Sequence, residues 1–422
     1  MAYILQKSIT TNITQESKNK FLRNNGLLRS YEASRVTFED FIIQSLNDGS
    51  LFIKEVNEYL FEELFFGQQR STYIYKMYSY KKEISNSEQL LEIMNREFGI
   101  EEVDMIRITN VYSNDDDKEK RELVGIKVIK SPINGTIKKI RLLFSKKVRV
   151  QLKDGTRTEN SYIPIEIDLE NNILIIKVSP KAKVITDKAT PEELAMEYSK
   201  KVIKLFQIDI EKFDYIHKET MYKMCQDLYS QVYNKMVLNK PQGVDEVINN
   251  FSTTLNGILN IENLDLKKTC NNIFDINDNI FKIVEHLLIS DILFSTSDSE
   301  IIDGIEGYVT YLRFNDGNNV SARLKGENCV DPIFDSETFM ALRAPIDNSK
   351  KISILKVVWF NEGKKLRVSY DTSSALYLNI HFYKNLEEGD FYYGVDKYWE
   401  YERKSFEDIK RMDSIYSNKV AK

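Results

Sequence analysis

The sequence predicts an α+β fold built from two helix-plus-antiparallel-sheet modules. Apolar residues recur at helical spacing from Phe38 to Phe98, and the pattern then changes to strand alternation over residues 103–186. The same order, helices and then strands, returns between Pro191 and Phe382. With 422 residues the chain has room for two ordinary domains, and this reading divides it into 1–186 and 187–422.

Residues 1–36 are polar and carry no clear period. From Thr37, a capping residue, the residues Phe38, Phe41, Ile42 and Ser45 share a helical face that ends at the Asn-Asp-Gly-Ser break of residues 47–50. A second helix, with Val56, Tyr59, Leu60 and Leu64 on one face, runs to Gly67. A third over residues 87–98 stops at Gly99. Strands are expected near Met105–Asn110 and over residues 122–130. The cleanest alternation follows: Ile140, Leu142, Phe144, Val148, Val150 and Leu152 have one parity, and Lys139, Arg141, Lys147, Arg149, Gln151 and Lys153 the other. Asp154-Gly155 turns the chain back. Ile163, Ile165, Ile167 and Leu169 then alternate with Glu166, Asp168 and Glu170, and Asn171-Asn172 turns into the apolar run Ile173–Val178.

Thr190, Pro191 and Glu193 spell a helix start with a capping box and a first-turn proline. Helical patterning continues to about Phe294. Two hairpins follow, one around Asp316-Gly317 and one around residues 361–364, then a strand near Leu378 and a polar C-terminal helix over residues 396–417. The stretch from Ser131 to Val150 aligns, with small gaps, on that from Ala344 to Val368. Both read Pro-Ile-Asn/Asp, Lys-Lys-Ile, two apolar residues and Phe, then Lys-Lys, an aliphatic residue, Arg-Val, which suggests an internal duplication.

Composition narrows the function. Hydrophobic content of 42% with 29% charged residues is that of a water-soluble globular chain, and only 7 Pro and 16 Gly leave little for linkers. Three well-separated Cys suggest neither a disulfide framework nor a zinc site, so a reducing, cytoplasmic setting is expected, with no membrane contact. The abundance of Lys, Asn, Ile, Tyr and Phe points to an AT-rich bacterial genome or its mobile elements.

Catalytic signatures are missing. Neither glycine-rich phosphate motif occurs, so no nucleotide cofactor is implied. His217, His286 and His381 read as packed or surface side chains. An acid-x-Lys nuclease pattern is met only at Glu402-Arg403-Lys404, in a helix, while Glu166 and Asp168 offer a remote alternative for a metal-dependent nuclease.

What stands out is charge. The stretch from Lys138 to Arg157 carries eight Lys or Arg and one acid, Asp154, in a chain of net charge -5. Alternate strand residues lie ~6.6 Å apart, close to the phosphate spacing of a nucleic-acid strand. The expected interface comprises Lys138, Lys139, Arg141, Lys146, Lys147, Arg149 and Lys153, extended by Lys364, Lys365 and Arg367 of the second segment. Two aromatic clusters, Ser71–Lys82 and Asp390–Lys404, interleave Tyr with Lys and Arg, a pattern that serves base stacking or packing. The leading expectation is a non-enzymatic protein binding DNA or RNA, as a subunit of a mobile-element or phage-defence assembly. The competing readings are a protein-interaction scaffold that uses the sheets and aromatic clusters to hold a partner chain, and a plain solvated face on which Glu166, Asp168 and Glu170 neutralise the basic strand from a neighbouring one.

Overall fold

The computed structural model describes residues 3–68, 71–102, 104–106, 122–152, 155–179, 181, 184–186, 189–213, 216–236, 243–259, 280, 283–284, 287, 304–315, 321–326, 330–334 and 336–420. In chain order the helices are α1 (Lys7–Thr10), α2 (Gln15–Asn24), α3 (Leu28–Ser34), α4 (Phe38–Asn47), α5 (Ile53–Glu62), α6 (Ser87–Phe98), α7 (Pro191–Phe206), α8 (Ile216–Met236), α9 (Val244–Leu259), α10 (Glu337–Ser349) and α11 (Glu388–Val420). The strands are β1 (Ser71–Ser79), β2 (Leu123–Lys130), β3 (Ile137–Leu152), β4 (Gly155–Asp168), β5 (Ile173–Val178), β6 (Asp209–Glu211), β7 (Gly307–Asn315), β8 (Ser321–Lys325), β9 (Ile352–Asn361), β10 (Lys364–Asp371) and β11 (Leu378–Phe382). The fold is α+β, and the named strand pairs are antiparallel.

The chain divides into two units. The first holds Met1–Lys212 with the return segment Leu376–Phe391, and the second holds Phe213–Ala375 with Tyr392–Lys422. The first unit thus takes in α7 beyond residue 186. Its apolar face (Leu194, Ala195, Tyr198, Val202, Phe206) is needed to cover the sheet of β-strands that precedes it.

In the first unit the strand order is β2-β3-β4-β5-β1-β11, with β6 also pairing β1. The alternating run beyond Thr136 becomes one strand of 16 residues, β3, whose even-numbered residues Ile140, Leu142, Phe144, Val148 and Val150 enter the core with α6 and α7. The Phe144 ring packs edge-on against Phe98 of α6 and tilted against Tyr198 of α7. The opposite face of the sheet lies under the end of α5 and the π-helical turn Glu63–Gly67 that continues it. Close approach there favours glycine at 125 in β2, since a Cβ would lie 3.0 Å from the Phe61 ring.

Both faces being covered, β5 is buried along its whole length. Asn172 takes the left-handed conformation (φ 54°) in the turn before it. The α7 start is as the sequence indicates: Thr190 Oγ1 accepts from the Glu193 N–H, and Glu193 accepts from the Thr190 N–H at 3.1 Å. Thr190→Ala should cost about 1 kcal/mol in urea unfolding; no shift in midpoint would mean that burial alone holds α7.

The polar N-terminal stretch, unpatterned by period, forms three short helices. Thr14 caps α2, and Ile9, Ile13 and Leu22 are buried, too few and too widely spaced to show a period in the sequence. The Ser71–Lys82 cluster is mostly strand β1, with Tyr73 and Tyr75 in the core beneath the Tyr377 ring.

In the second unit β10-β9-β7-β8 form a sheet against which α8 packs. The Trp359 indole donates to the Tyr370 hydroxyl at 2.9 Å, and that hydroxyl donates to the Gly394 carbonyl at 2.8 Å. Gly307 is a second tight approach: a Cβ there would lie 2.5 Å from the Val358 carbonyl oxygen. The hairpin around residues 361–364 is present as β9 and β10, with Glu362 and Gly363 at positive φ. Residues 107–110 of the strand expected at Met105–Asn110, the turn at Asp316-Gly317 and most of the helical stretch expected from residue 260 to Phe294 fall outside the described residues; Ile106 bridges Gly125.

The two aligned segments do not form equivalent units. Lys138–Val150 lies within the single strand β3, whereas Lys350–Val368 crosses a hairpin turn, and Pro345 sits inside α10 while Pro132 precedes a strand in a turn. An internal duplication is therefore not shown. No described helix is long and apolar enough to cross a membrane.

Candidate nucleic-acid interface

The β3–β4 ladder decides what the basic strand can do. Residues directly opposite on an antiparallel pair share a face and touch. Lys139 stands opposite Asp168 and Arg141 opposite Glu166, while further along Lys147 stands opposite Asn160, Arg149 opposite Thr158 and Gln151 opposite Thr156. One strand face thus has a neutralised end and a distal end whose cross-strand positions are uncharged.

At the neutralised end the cations are structural. The Lys139 ammonium lies 2.9 Å from Asp168 and 3.3 Å from Glu166. Arg141 is buried; its Nε donates to Glu166 at 2.9 Å, a terminal nitrogen donates to Glu388, and Glu62 lies 3.8 Å away. Its guanidinium stacks near the rings of Phe65 and Phe66. Lys177 of β5 completes the row: its amine is fully buried, 3.7 to 4.3 Å from the ring centroids of Phe66, Phe391 and Phe65, and donates to the Phe65 carbonyl at 3.5 Å. Burial holds its pKa well below the usual lysine range, and the nearby Glu166 pulls the other way. Lys138 pairs with Glu170 and Lys146 with Glu197, each at 2.6 Å.

These contacts also bear on the nuclease idea. Glu166 and Asp168 are buried, and their oxygens are taken up: Asp168 accepts the backbone N–H groups of Glu170 and Asn171 and so shapes the β4–β5 turn. Among the described residues no group of three or more His, Cys, Asp or Glu is placed to hold a metal ion. Glu402-Arg403-Lys404 is helical, within α11.

The distal end is different. Lys147, Arg149 and Gln151 are exposed, as are Thr156 and Thr158 opposite. The reverse face of this half-hairpin is anchored, since Val148 and Val150 are buried. Its edge is braced by residues 184–186: the Arg149 N–H donates to Thr186 Oγ1 at 2.8 Å and the Ile185 N–H to the Arg149 carbonyl at 2.9 Å. Arg157 projects on the anchored side and pairs with Glu159, which also holds Lys181 at 3.0 Å. Lys153 lies outside the described residues. In the second unit Lys364 and Lys365 are exposed at the β9–β10 turn and Arg367 is half-buried.

The remaining candidates are packing groups. His217 stacks on Phe213, and its Nδ1 lies 2.7 Å from the Tyr398 hydroxyl, which in turn donates to Glu402 at 3.1 Å. His381 is in β11 with Ser71 Oγ 3.2 Å from its Nδ1; His286 is outside the described residues. Cys225 is buried, and burial pushes its thiol up to about 12, so a thiolate is scarce at neutral pH. Tyr398 and Tyr401 of the second aromatic cluster are buried.

Sequence reasoning passed over Glu62 and Glu388 and met Lys177 only as a lysine beyond the turn that follows Glu166 and Asp168; the three reach the row from separate segments. Lys177 had one signal: a lysine inside the apolar run Ile173–Val178, where a strand covered on both faces leaves no wet side for it. No family model, curated protein or solved structure matches the chain.

Proposed function

We propose that the protein is a non-enzymatic nucleic-acid-binding protein whose contact surface is the distal face of the β3–β4 hairpin. The observation that carries this is the change of cross-strand neighbour, from Asp168 and Glu166 opposite Lys139 and Arg141 to Asn160 and Thr158 opposite Lys147 and Arg149. A cation facing a carboxylate across a ladder has its field largely cancelled by it, and the positions opposite Lys147 and Arg149 on β4 are uncharged while both side chains are exposed. The surface is therefore narrower than the whole basic run: Lys147 and Arg149 remain as phosphate contacts, while Lys138, Lys139, Arg141 and Lys146 serve the fold.

Reversing both charges, Lys147→Glu with Arg149→Glu, should weaken binding to labelled nucleic acid and reduce the slope of log K against log salt by about two, with the unfolding free energy in urea changed by less than about 0.5 kcal/mol. Unchanged affinity in the folded double variant would remove this face. Co-purification with a protein partner after nuclease treatment, joined to no affinity for any nucleic acid, would replace the reading with the scaffold one.

A further inference from the structure

We infer that α2 and α3 form a helix-turn-helix surface for duplex DNA, with the outward face of α3 in the major groove and Arg23 and Arg35 on flanking phosphates. This rests on the nucleic-acid reading above only for the class of ligand, and it uses different residues from the β3–β4 hairpin.

The backbone supplies the motif. A helix-turn-helix joins its helices by a turn of three or four residues that often holds glycine; the second helix enters the groove and the first crosses the DNA backbone. Here α2 ends at Asn24 and α3 begins at Leu28, and between them Gly26 takes the left-handed conformation (φ 72°). The Gly26 N–H donates to the Arg23 carbonyl at 3.0 Å and the Leu27 N–H to the Leu22 carbonyl at 2.7 Å, which closes the end of α2. Both helices are seated on their neighbours: Phe21 stacks on Tyr59 of α5 with centroids 4.1 Å apart, and Tyr31 meets Phe38 and Phe41 of α4 edge-on.

That seating leaves α3 turned outward. None of its residues is buried; Leu28, Tyr31 and Ser34 form the half-buried inner row, and Arg29, Ser30, Glu32 and Ala33 are exposed. These are side chains that read base edges in the major groove: guanidinium for guanine, carboxylate for the cytosine amine, hydroxyl for several bases and a methyl group for thymine. Ser30 and Ala33 are small enough to let the helix come close. With its side chains a helix is ~10–12 Å across, which fits a B-form major groove ~12 Å wide, whereas the major groove of A-form RNA is too narrow.

Charge agrees with this placement. Arg23 in the last turn of α2, Arg29 in the first turn of α3 and Arg35 just past its end are exposed, and no described residue pairs with their side chains. Lys20, by contrast, pairs with Glu387 at 2.6 Å. Of the nearby carboxylates, Glu39 and Asp40 accept from Thr10 and Thr37 at the start of α4, and Glu16 lies in the first turn of α2, far from the turn. Glu32 is the carboxylate that faces outward on α3.

The test is fluorescence anisotropy of the full chain with a random-sequence 20-base-pair DNA duplex, an RNA duplex of the same sequence and the separate single strands, across a salt series. The DNA duplex should bind about 10-fold or more tightly than the others. Arg23→Ala and Arg35→Gly should each lower the slope of log K against log salt by about one. Glycine suits the left-handed backbone at residue 35 (φ 56°), so that variant keeps the fold. Arg29→Ala should flatten the base preference recovered at one position from a random duplex pool. Unchanged affinity and slope in the folded triple variant Arg23→Ala, Arg29→Ala, Arg35→Gly would overturn the helix surface, and loss of binding in Lys147→Glu with Arg149→Glu would then leave the hairpin reading standing alone. Equal or tighter binding to RNA duplex or single strands would overturn the groove assignment. No binding to any of them at ~50 mM salt would overturn this inference and the nucleic-acid reading together.

Discussion

Glu166→Ala should destabilise the first unit by about 3–5 kcal/mol, the range for breaking a buried ion pair from one side. Glu166 is fully buried and serves three cations: Arg141 at 2.9 Å, Lys139 at 3.3 Å and the enclosed Lys177 beside it. Without it Lys139 keeps Asp168, and Arg141 keeps Glu388 and Glu62, but Lys177 loses the carboxylate that most favours its charge. A lost surface ion pair would cost at most about 1 kcal/mol, so the size of the loss separates a buried keystone from a solvated pair. The check is the urea midpoint at unchanged m, with Glu166→Gln alongside to separate lost charge from lost volume. A loss under about 1 kcal/mol in the Ala variant would show that the row does not depend on this carboxylate.

Lys177→Met should have the opposite sign, raising stability at pH 7 by about 1–3 kcal/mol. Three aromatic faces favour the ammonium by about 2 kcal/mol, but withdrawing it from water costs several, and burial wins. Methionine is of similar length and its sulfur packs well on rings. The pH dependence follows from the same imbalance. In the folded chain the amine titrates below the usual lysine range, so between that value and about 10.4 the unfolded chain binds the extra proton. Stability therefore rises with pH across that window, and the methionine variant should lack this rise. Urea curves at pH 7 and pH 9.5 decide it. A methionine variant less stable than the parent at pH 7 would mean that the ring faces and Glu166 outweigh desolvation.

The two substitutions also separate fold from function. Both act on the neutralised half of the sheet face, whereas the proposed contacts occupy the distal half. A variant that remains folded should keep its affinity for nucleic acid. Loss of affinity in folded Lys177→Met would tie the two halves together.

Much of the fold was legible because local rules speak for themselves. The Thr190 capping box, the glycine stop at Gly99, the left-handed Asn172 turn and the period-two run of β3 are each set by residues within a few positions of one another. Parity was legible as well: Lys139, Arg141, Lys147 and Arg149 do share one face of β3, as strand geometry demands. The short helices α1 to α3 were not, because their few buried residues are held by contacts rather than by period. The aligned Lys-Lys segments do not fix a fold position, for a related reason. A few shared letters describe the chemistry of a strand without saying whether the chain continues straight, as at Lys146, or has just turned, as at Lys364.

The sequence by itself determined that this is an α+β chain with one strand carrying most of its cations on one side. Tertiary structure alone decided which of those cations face water. That depends on register and on what is laid over the sheet: Glu166 and Asp168 arrive opposite Arg141 and Lys139, Phe65 and Phe66 close over them, and Glu388 reaches in from almost 250 residues away in sequence. Charge is a property of a residue, but its field depends on its neighbours and on the surrounding dielectric, and both are set by the fold.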